Sequence, residues 1–445
     1  MSFDIMAMQP RARRGVSKRS CNTLRGMMGS GKGWLKNISL ALGSVLLVVV
    51  ASLAADRIYG QMMERPAPPG SMELIFPPNA EQTFGSIDFT YTARINSLGL
   101  RERELSRDPK VFRIVALGDS YTYGWGIESE QTWLRLLETH LRDAGYNVET
   151  VNLGKPGSGP PFYAELAEKA FPVLQPDLVL VGMLQGNDLA ASGPEGLEEK
   201  PAPPSAERLR GIVRALYPNL TRMARDARMA RMSETRKQEM PPQKTTAEDN
   251  RRWTENTAKD FLAKMSPEER AKFDTLEPKV REAFTTGNFN PYMIDLALKN
   301  PRIYLMPMNT DDPWIKTCIG NMAGHLRRIK RAAAEYGAPV LVLSVPDGPY
   351  VNDSALANLR RVGFETDPAL MNETNADMGI QLACRQAELP FFSVSAGFRE
   401  HAADGSLFFE LDGHLTANGH KLYADLMAPV LAREIGPLAP ELPGK

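Results

Sequence analysis

From residue 111 onward, apolar runs of strand length alternate with longer segments of helical periodicity, and this alternation restricts the chain to one kind of architecture. The runs are Val111–Leu117, Val148–Leu153, Leu178–Met183, Val340–Val345 and Phe391–Val394. Thr132–Ala144 carries Trp133, Leu137 and Leu141 at helical spacing, and a second helix is expected around Phe162–Leu174. A third opens at Asp312-Pro313 and closes at Gly337, a fourth ends near Glu388, and the last spans Ala417–Glu434. Strands that are apolar throughout, each followed by a helix, need both faces of their sheet covered. The expectation is an α/β fold, a central parallel sheet between two helical layers. Ligands on such a sheet bind beyond the carboxyl ends of the strands. Chemistry is therefore expected in the loops after Leu117, Leu153 and Met183.

The first loop opens with Gly118-Asp119-Ser120, the second runs Asn152-Leu153-Gly154-Lys155-Pro156-Gly157, and the third holds Gly186-Asn187-Asp188. Any one of these alone is an ordinary turn. Three in succession, each ending a successive strand, are much harder to assign to chance. A fourth segment near the C-terminus, Asp412-Gly413-His414-Leu415-Thr416-Ala417-Asn418-Gly419-His420, leads into the last helix. It sets an acid and an imidazole two residues apart in a glycine loop. A serine hydroxyl is hardly ionised at neutral pH, so it needs a base to take its proton as it attacks. Histidine titrates in the right range. A carboxylate on its other ring nitrogen fixes the tautomer and stabilises the imidazolium. Ser120, His414 and Asp412 are the candidate triad.

In this order the four blocks resemble the SGNH hydrolases, also called GDSL esterases and lipases, over roughly residues 96–190 and 312–434. Asn96-Ser97-Leu98-Gly99-Leu100-Arg101, ahead of the first strand, also looks like an extension seen in bacterial members. The resemblance implies a flavodoxin-like three-layer sandwich that hydrolyses carboxylic esters through an acyl-enzyme on Ser120. It further implies His414 as base and an oxyanion hole built from the N–H groups of Ser120 and Gly157 and the side-chain amide of Asn187. His420, in the Gly-His pair that follows, is then a structural residue. One departure stands out. The family usually places its acid three residues before the histidine, where this chain has Leu411; Asp412 is the expected substitute and Glu410 the poorer one. Two other functions fit the same residues: an O-acyltransferase passing the acyl group to a glycan hydroxyl, and a non-catalytic envelope binding or scaffold protein.

The N-terminus is different in kind. Arg11, Arg13, Arg14, Lys18, Arg19, Arg25, Lys32 and Lys36 face the single acid Asp4, and Ile38–Ala55 then runs without a charge. We expect a basic cytoplasmic tail over 1–36, a transmembrane anchor over 37–56 and a proline-rich linker over 57–83. A signal peptide cleaved near Ser52-Leu53-Ala54 and a buried core helix are the alternatives. The hydrolase domain then occupies 84–189 and 311–437, interrupted by a helical insertion or lid over 190–310. Positive charge stays inside, so the catalytic part is expected on the periplasmic side of the inner membrane. Gly26–Gly33 approximates a phosphate-binding loop but lacks its final Ser/Thr and any preceding strand.

Within the main body, Ile87, Phe89, Tyr91, Ala93 and Ile95 alternate as a half-buried strand does. Leu209, Ile212, Val213, Leu216, Leu220 and Met223 form an apolar stripe flanked by arginines, expected either to pack on the main domain or to rest on anionic lipid. Ser266-Pro267-Glu268-Glu269 reads as a capped helix start. Lys plus Arg and Asp plus Glu are both 53, so charge gives no support for nucleic acid as a partner. Cys318 and Cys384 are expected as buried free thiols, with pairing as the alternative if this part is exported; among the histidines only His414 and His420 come near metal-ligand spacing, and there is no zinc signature. The expected partners are an ester substrate, either a glycan O-acetyl group or a lipid acyl ester, and the membrane; no cofactor or metal is expected.

Overall fold

The computed structural model describes residues 31–62, 72–108, 110–193, 212–213, 216–221, 223, 244–371, 375–403 and 406–440. The chain divides into two compact units, Met1–Met62 and Met63–Lys445.

In the first unit, helix α1 (Gly31–Met62) contains the apolar stretch Lys36–Tyr59, 24 residues with a mean hydropathy of 2.5. At about 1.5 Å per residue, 24 residues span about 36 Å, enough for a hydrocarbon core of about 30 Å. It is the one helix among the described residues long and apolar enough to cross a membrane. The helix continues six residues into the expected linker, Arg57 to Met62, because no proline interrupts it before Pro66. Residues 1–30, which hold most of the basic tail and of the phosphate-loop look-alike, lie outside the described residues.

The second unit starts with a hairpin, β1 (Glu81–Gly85) and β2 (Thr90–Arg94). There follow β3 (Phe112–Gly118), α2 (Ser120–Tyr123), α3 (Trp133–Asp143), β4 (Val148–Gly154), α4 (Pro160–Leu174) and β5 (Leu178–Leu184). Next come β6 (Lys244–Thr245), α5 (Ala247–Lys264), α6 (Pro267–Thr275), α7 (Pro278–Thr285), α8 (Pro291–Lys299) and α9 (Pro313–Ala334). The chain ends with β7 (Val340–Val345), α10 (Asp353–Val362), α11 (Asn375–Ala387), β8 (Phe391–Phe392), α12 (Ser395–Glu400) and α13 (Ala417–Ile435).

Five parallel strands lie in the order β4-β3-β5-β7-β8. The first strand of the sheet thus sits between the second and third, the flavodoxin-like order that opens a crevice at their carboxyl ends. Alternate residues point to opposite faces. Val115, Leu117, Val179 and Val181 meet α4, α9 and α11, whereas Ile114, Ala116, Leu178 and Leu180 meet α3 and α13. All eight are buried, and burying one such aliphatic side chain contributes roughly 1.5–3 kcal/mol. This is the three-layer sandwich expected from the apolar runs.

Two expectations need correction. The alternation over Ile87–Ile95 is not one strand: residues 86–89 turn between β1 and β2, and Ile87 is exposed. The last part of the expected linker, from residue 72 on, is not free either. Leu74 is buried in the core, and the N–H groups of Met72, Leu74 and Phe76 donate to carbonyls of Ser97, Leu98 and Gly99. Of the stripe, Ile212, Val213, Leu216, Leu220 and Met223 are partly exposed, and Leu209 with the flanking arginines lies outside the described residues. The insertion is anchored by α5–α8, whose core includes Phe284, Phe289 and Ile294 and continues into α10 and Leu411. Ser266 caps α6 with the reciprocal Glu269 bonds that the sequence suggested. Cys318 and Cys384 are free and buried.

Candidate active site

Strand β3 stops at Gly118, and Asp119 caps the one-turn helix α2, its Oδ1 accepting the Tyr121 N–H at 2.9 Å. Ser120 is the first residue of that turn. The turn presses on the sheet so closely that a β-carbon on Gly154 would lie 2.2 Å from the Tyr123 nitrogen. Only glycine allows this approach. Asn152 ties the turn down, its Nδ2 donating to the Thr122 carbonyl and its Oδ1 accepting the Gly154 N–H, both at 2.8 Å. Arg101 holds the far end. Its buried guanidinium donates to the carbonyls of Tyr123 at 3.0 Å, Gly124 at 2.8 Å and Ile127, and stacks 4.7 and 4.6 Å from the Tyr91 and Tyr123 rings. The Asn96–Arg101 block thus supports the Ser120 turn.

The second half of the site comes from the loop before α13. Gly413 has φ +81, a left-handed backbone natural to glycine. That reversal, closed by the Phe409 N–H donating to the His414 carbonyl at 2.8 Å, turns residues 412 and 414 toward each other. Asp412 Oδ1 accepts the His414 Nδ1 proton at 2.5 Å. Nε2 is left as an acceptor, and the Ser120 hydroxyl donates to it at 2.7 Å. Ser120, His414 and Asp412 therefore form one unbroken hydrogen-bonded line. Glu410 is turned outward into ion pairs with Arg361 at 2.6 Å and Lys279 at 3.9 Å. His420 does not reach the serine. Its Nδ1 accepts the Trp133 N–H at 3.1 Å, and burial lowers its pKa to about 3, which keeps it neutral.

The imidazole of His414 feels opposing influences. Burial disfavours its charged form, but the charge and hydrogen bond of Asp412 favour it, helped by the charges of Asp119 and Asp347, and the net displacement is upward. Asp347, just past the end of β7, was not picked out from the sequence. Its Oδ1 accepts from the Tyr121 hydroxyl at 3.0 Å and from the Gly348 N–H at 2.7 Å, and burial raises it to about 6. The Tyr121 ring lies 4.7 Å from the His414 ring, and its hydroxyl also reaches the Gly413 carbonyl at 3.0 Å. The signal that marks Asp347 is its position at the carboxyl end of a parallel strand, in Pro346-Asp347-Gly348. A cavity of about 20 Å³, lined by Tyr121, Asp347 and Gly413 together with Met293 and Tyr304 of the insertion, adjoins this network.

Gly157 and Asn187 stand on the loops that leave β4 and β5, the two neighbours of β3. Gly157 is exposed, with φ +72 and open space where a side chain would begin. Asn187 is half-buried, and its Oδ1 is buried without a hydrogen-bond partner among the described residues. The next residue pins this turn: Asp188 accepts the Leu184 N–H at 2.8 Å and the Tyr163 hydroxyl at 3.0 Å. No group of His, Cys, Asp and Glu among the described residues is arranged to hold a metal.

Residues 116–266 match the GDSL-like lipase/acylhydrolase family. No curated protein matches the chain. Among solved structures, a lipase/acylhydrolase from Enterococcus faecalis is similar at 11% identity and TM-score 0.34, covering 75% of this chain and 99% of that one. A catalytic mutant of an acetylxylan esterase from Geobacillus stearothermophilus is similar at 12% identity and TM-score 0.32, covering 74% of this chain and 96% of that one. A member of the lipolytic G-D-S-L family from Veillonella parvula is similar at 10% identity and TM-score 0.31, covering 73% and 100%.

Proposed function

We infer, from the match of residues 116–266 to the GDSL-like lipase/acylhydrolase family and from the geometry around Ser120, that this chain is a serine esterase working through an acyl-enzyme on Ser120. The observation that carries this reading is the line of hydrogen bonds from Ser120 through His414 to Asp412. As Oγ attacks the ester carbonyl, Nε2 takes its proton, and the adjacent carboxylate stabilises the imidazolium that results. The tetrahedral oxygen is met by the N–H groups of Ser120 and Gly157 and by the Asn187 amide. His414 returns its proton to the departing alkoxide, and water then releases the acid by the same steps in reverse. Full-length protein in detergent is expected to hydrolyse a short-chain aryl ester and to take up a fluorophosphonate on Ser120; labelling elsewhere would end this reading.

Two further results are expected. Asn187→Ala lowers kcat about a hundredfold or more, the usual consequence of removing one oxyanion donor, with little change in melting temperature. Full activity in that variant removes Asn187 from the site. Only neutral His414 accepts the serine proton, so activity falls as pH drops through its folded pKa. That pKa is raised, so the acid limb of kcat/KM is expected above the ordinary imidazole value of about 6.5. A limb at or below that value would show that burial of the ring outweighs the surrounding carboxylates.

Location narrows the substrate. The basic residues ahead of the apolar stretch favour a cytoplasmic N-terminus, which supports a triad on the periplasmic side of the inner membrane. The substrates within reach there are carboxylic esters of the envelope, O-acetyl groups on glycans or acyl esters of lipids.

A further inference from the structure

We propose that Asp88 is a positioning residue, fixing the backbone of Leu411 and Asp412 so that the Asp412 carboxylate meets the His414 imidazole. The proposal rests on the triad reading above. Asp88 sits in the turn between β1 and β2, yet its Oδ2 accepts the N–H of Leu411 at 2.9 Å and that of Asp412 at 2.8 Å, 323 and 324 positions along the chain. The turn is itself held firmly. The Ser86 N–H donates to the Phe89 carbonyl at 2.8 Å, the Asp88 N–H to the Ser86 hydroxyl at 3.1 Å, and the Ile87 N–H to the Asn288 carbonyl of the insertion at 2.8 Å. The Phe89 ring lies 5.0 Å from that of Phe409, at the start of the same loop. Hairpin, insertion and triad loop thus meet at one half-buried carboxylate.

A carboxylate is an uncomfortable choice for mere packing at this corner. Burial raises the pKa of Asp88 and the charges of Asp412 and Glu410 push the same way, with only the two backbone donors pulling it down. Those charge-assisted bonds are the return for the repulsion, since a carboxylate accepts two N–H groups more strongly than a neutral side chain would. The loop needs such a hold. Its acid stands two residues before the histidine, across a left-handed glycine, so a small slide of the 411–412 backbone carries the carboxylate away from Nδ1.

The test uses full-length protein in detergent and a short-chain aryl ester. Asp88→Ala is expected to lower kcat about a hundredfold, the scale on which a misplacement of about 1 Å acts, with KM unchanged. Asp88→Asn keeps an oxygen able to accept both N–H groups and should retain most of the activity. The deciding measurement is the double variant. In an Asp412→Asn background, Asp88→Ala should cost nothing more, because the group it positions is already lost. Multiplying losses, or an Asp88→Ala enzyme with normal kcat, would overturn the proposal. Should Asp88→Ala not fold, hydrogen exchange in the unmodified protein decides, and rapid exchange at the Leu411 and Asp412 amides would be equally damaging. An active Ser120→Ala enzyme, in contrast, would mark failure of the triad reading itself.

Discussion

Ser120→Ala is expected to lower kcat on a short-chain aryl ester by about a millionfold, leaving only the weak catalysis that binding and oxyanion donors give to water. The size follows from what the alcohol does. Without Oγ no acyl-enzyme forms, and the imidazole has only a solvent molecule to deprotonate. The variant is also a clean one. The hydroxyl has a single hydrogen bond among the described residues, to His414 Nε2, while Asp412 keeps its grip on Nδ1. Asp119 caps α2 through its own carboxylate, and Asn152 and Arg101 hold the turn by backbone carbonyls. The fold should therefore survive, and a thermal melt close to that of the unmodified protein separates lost chemistry from lost structure. Turnover near the normal rate in a folded Ser120→Ala protein would be fatal to the nucleophile assignment.

The parts of this architecture that were legible in the sequence are those set by local pattern. Apolar runs such as Val340–Val345 and Val111–Leu117 announced parallel strands because a strand covered on both faces has no polar side to display. Gly118-Asp119-Ser120 and Gly186-Asn187-Asp188 stood out because chain order put them at the ends of the first and third strands of the sheet, and sheet order then brought them side by side. What stayed hidden depends on meetings between distant residues. Asp88 reads as one more polar residue in a turn, since nothing local points to an acceptor for the N–H groups of Leu411 and Asp412. The hairpin was masked because Ile87, Phe89 and Tyr91 keep a period of two straight through the turn. Arg101 was visible only as the end of a motif; its three carbonyl partners lie 22 to 26 residues further on.

The choice between Asp412 and Glu410 belongs to the same class, and it gives the second large effect. Composition favours neither carboxylate. The backbone decides, because Gly413 reverses the chain and turns residue 412 inward, while Glu410 finds Arg361 and Lys279 outside. Asp412→Asn keeps the shape but reverses the hydrogen bond: the new amide donates to Nδ1, so the ring proton moves to Nε2. That nitrogen can then no longer accept from Ser120. A loss in kcat of about ten-thousandfold is expected, the magnitude found when the wrong tautomer is imposed on such a triad. Glu410→Gln removes one partner of an exposed ion pair, an interaction of about 0–1 kcal/mol, and should leave kcat unchanged. The two variants are best measured side by side on one ester, with melts to show that both are folded. If Glu410→Gln were the crippled enzyme and Asp412→Asn the active one, the acid would have been assigned to the wrong carboxylate, and the 2.5 Å contact at Nδ1 would have no catalytic meaning.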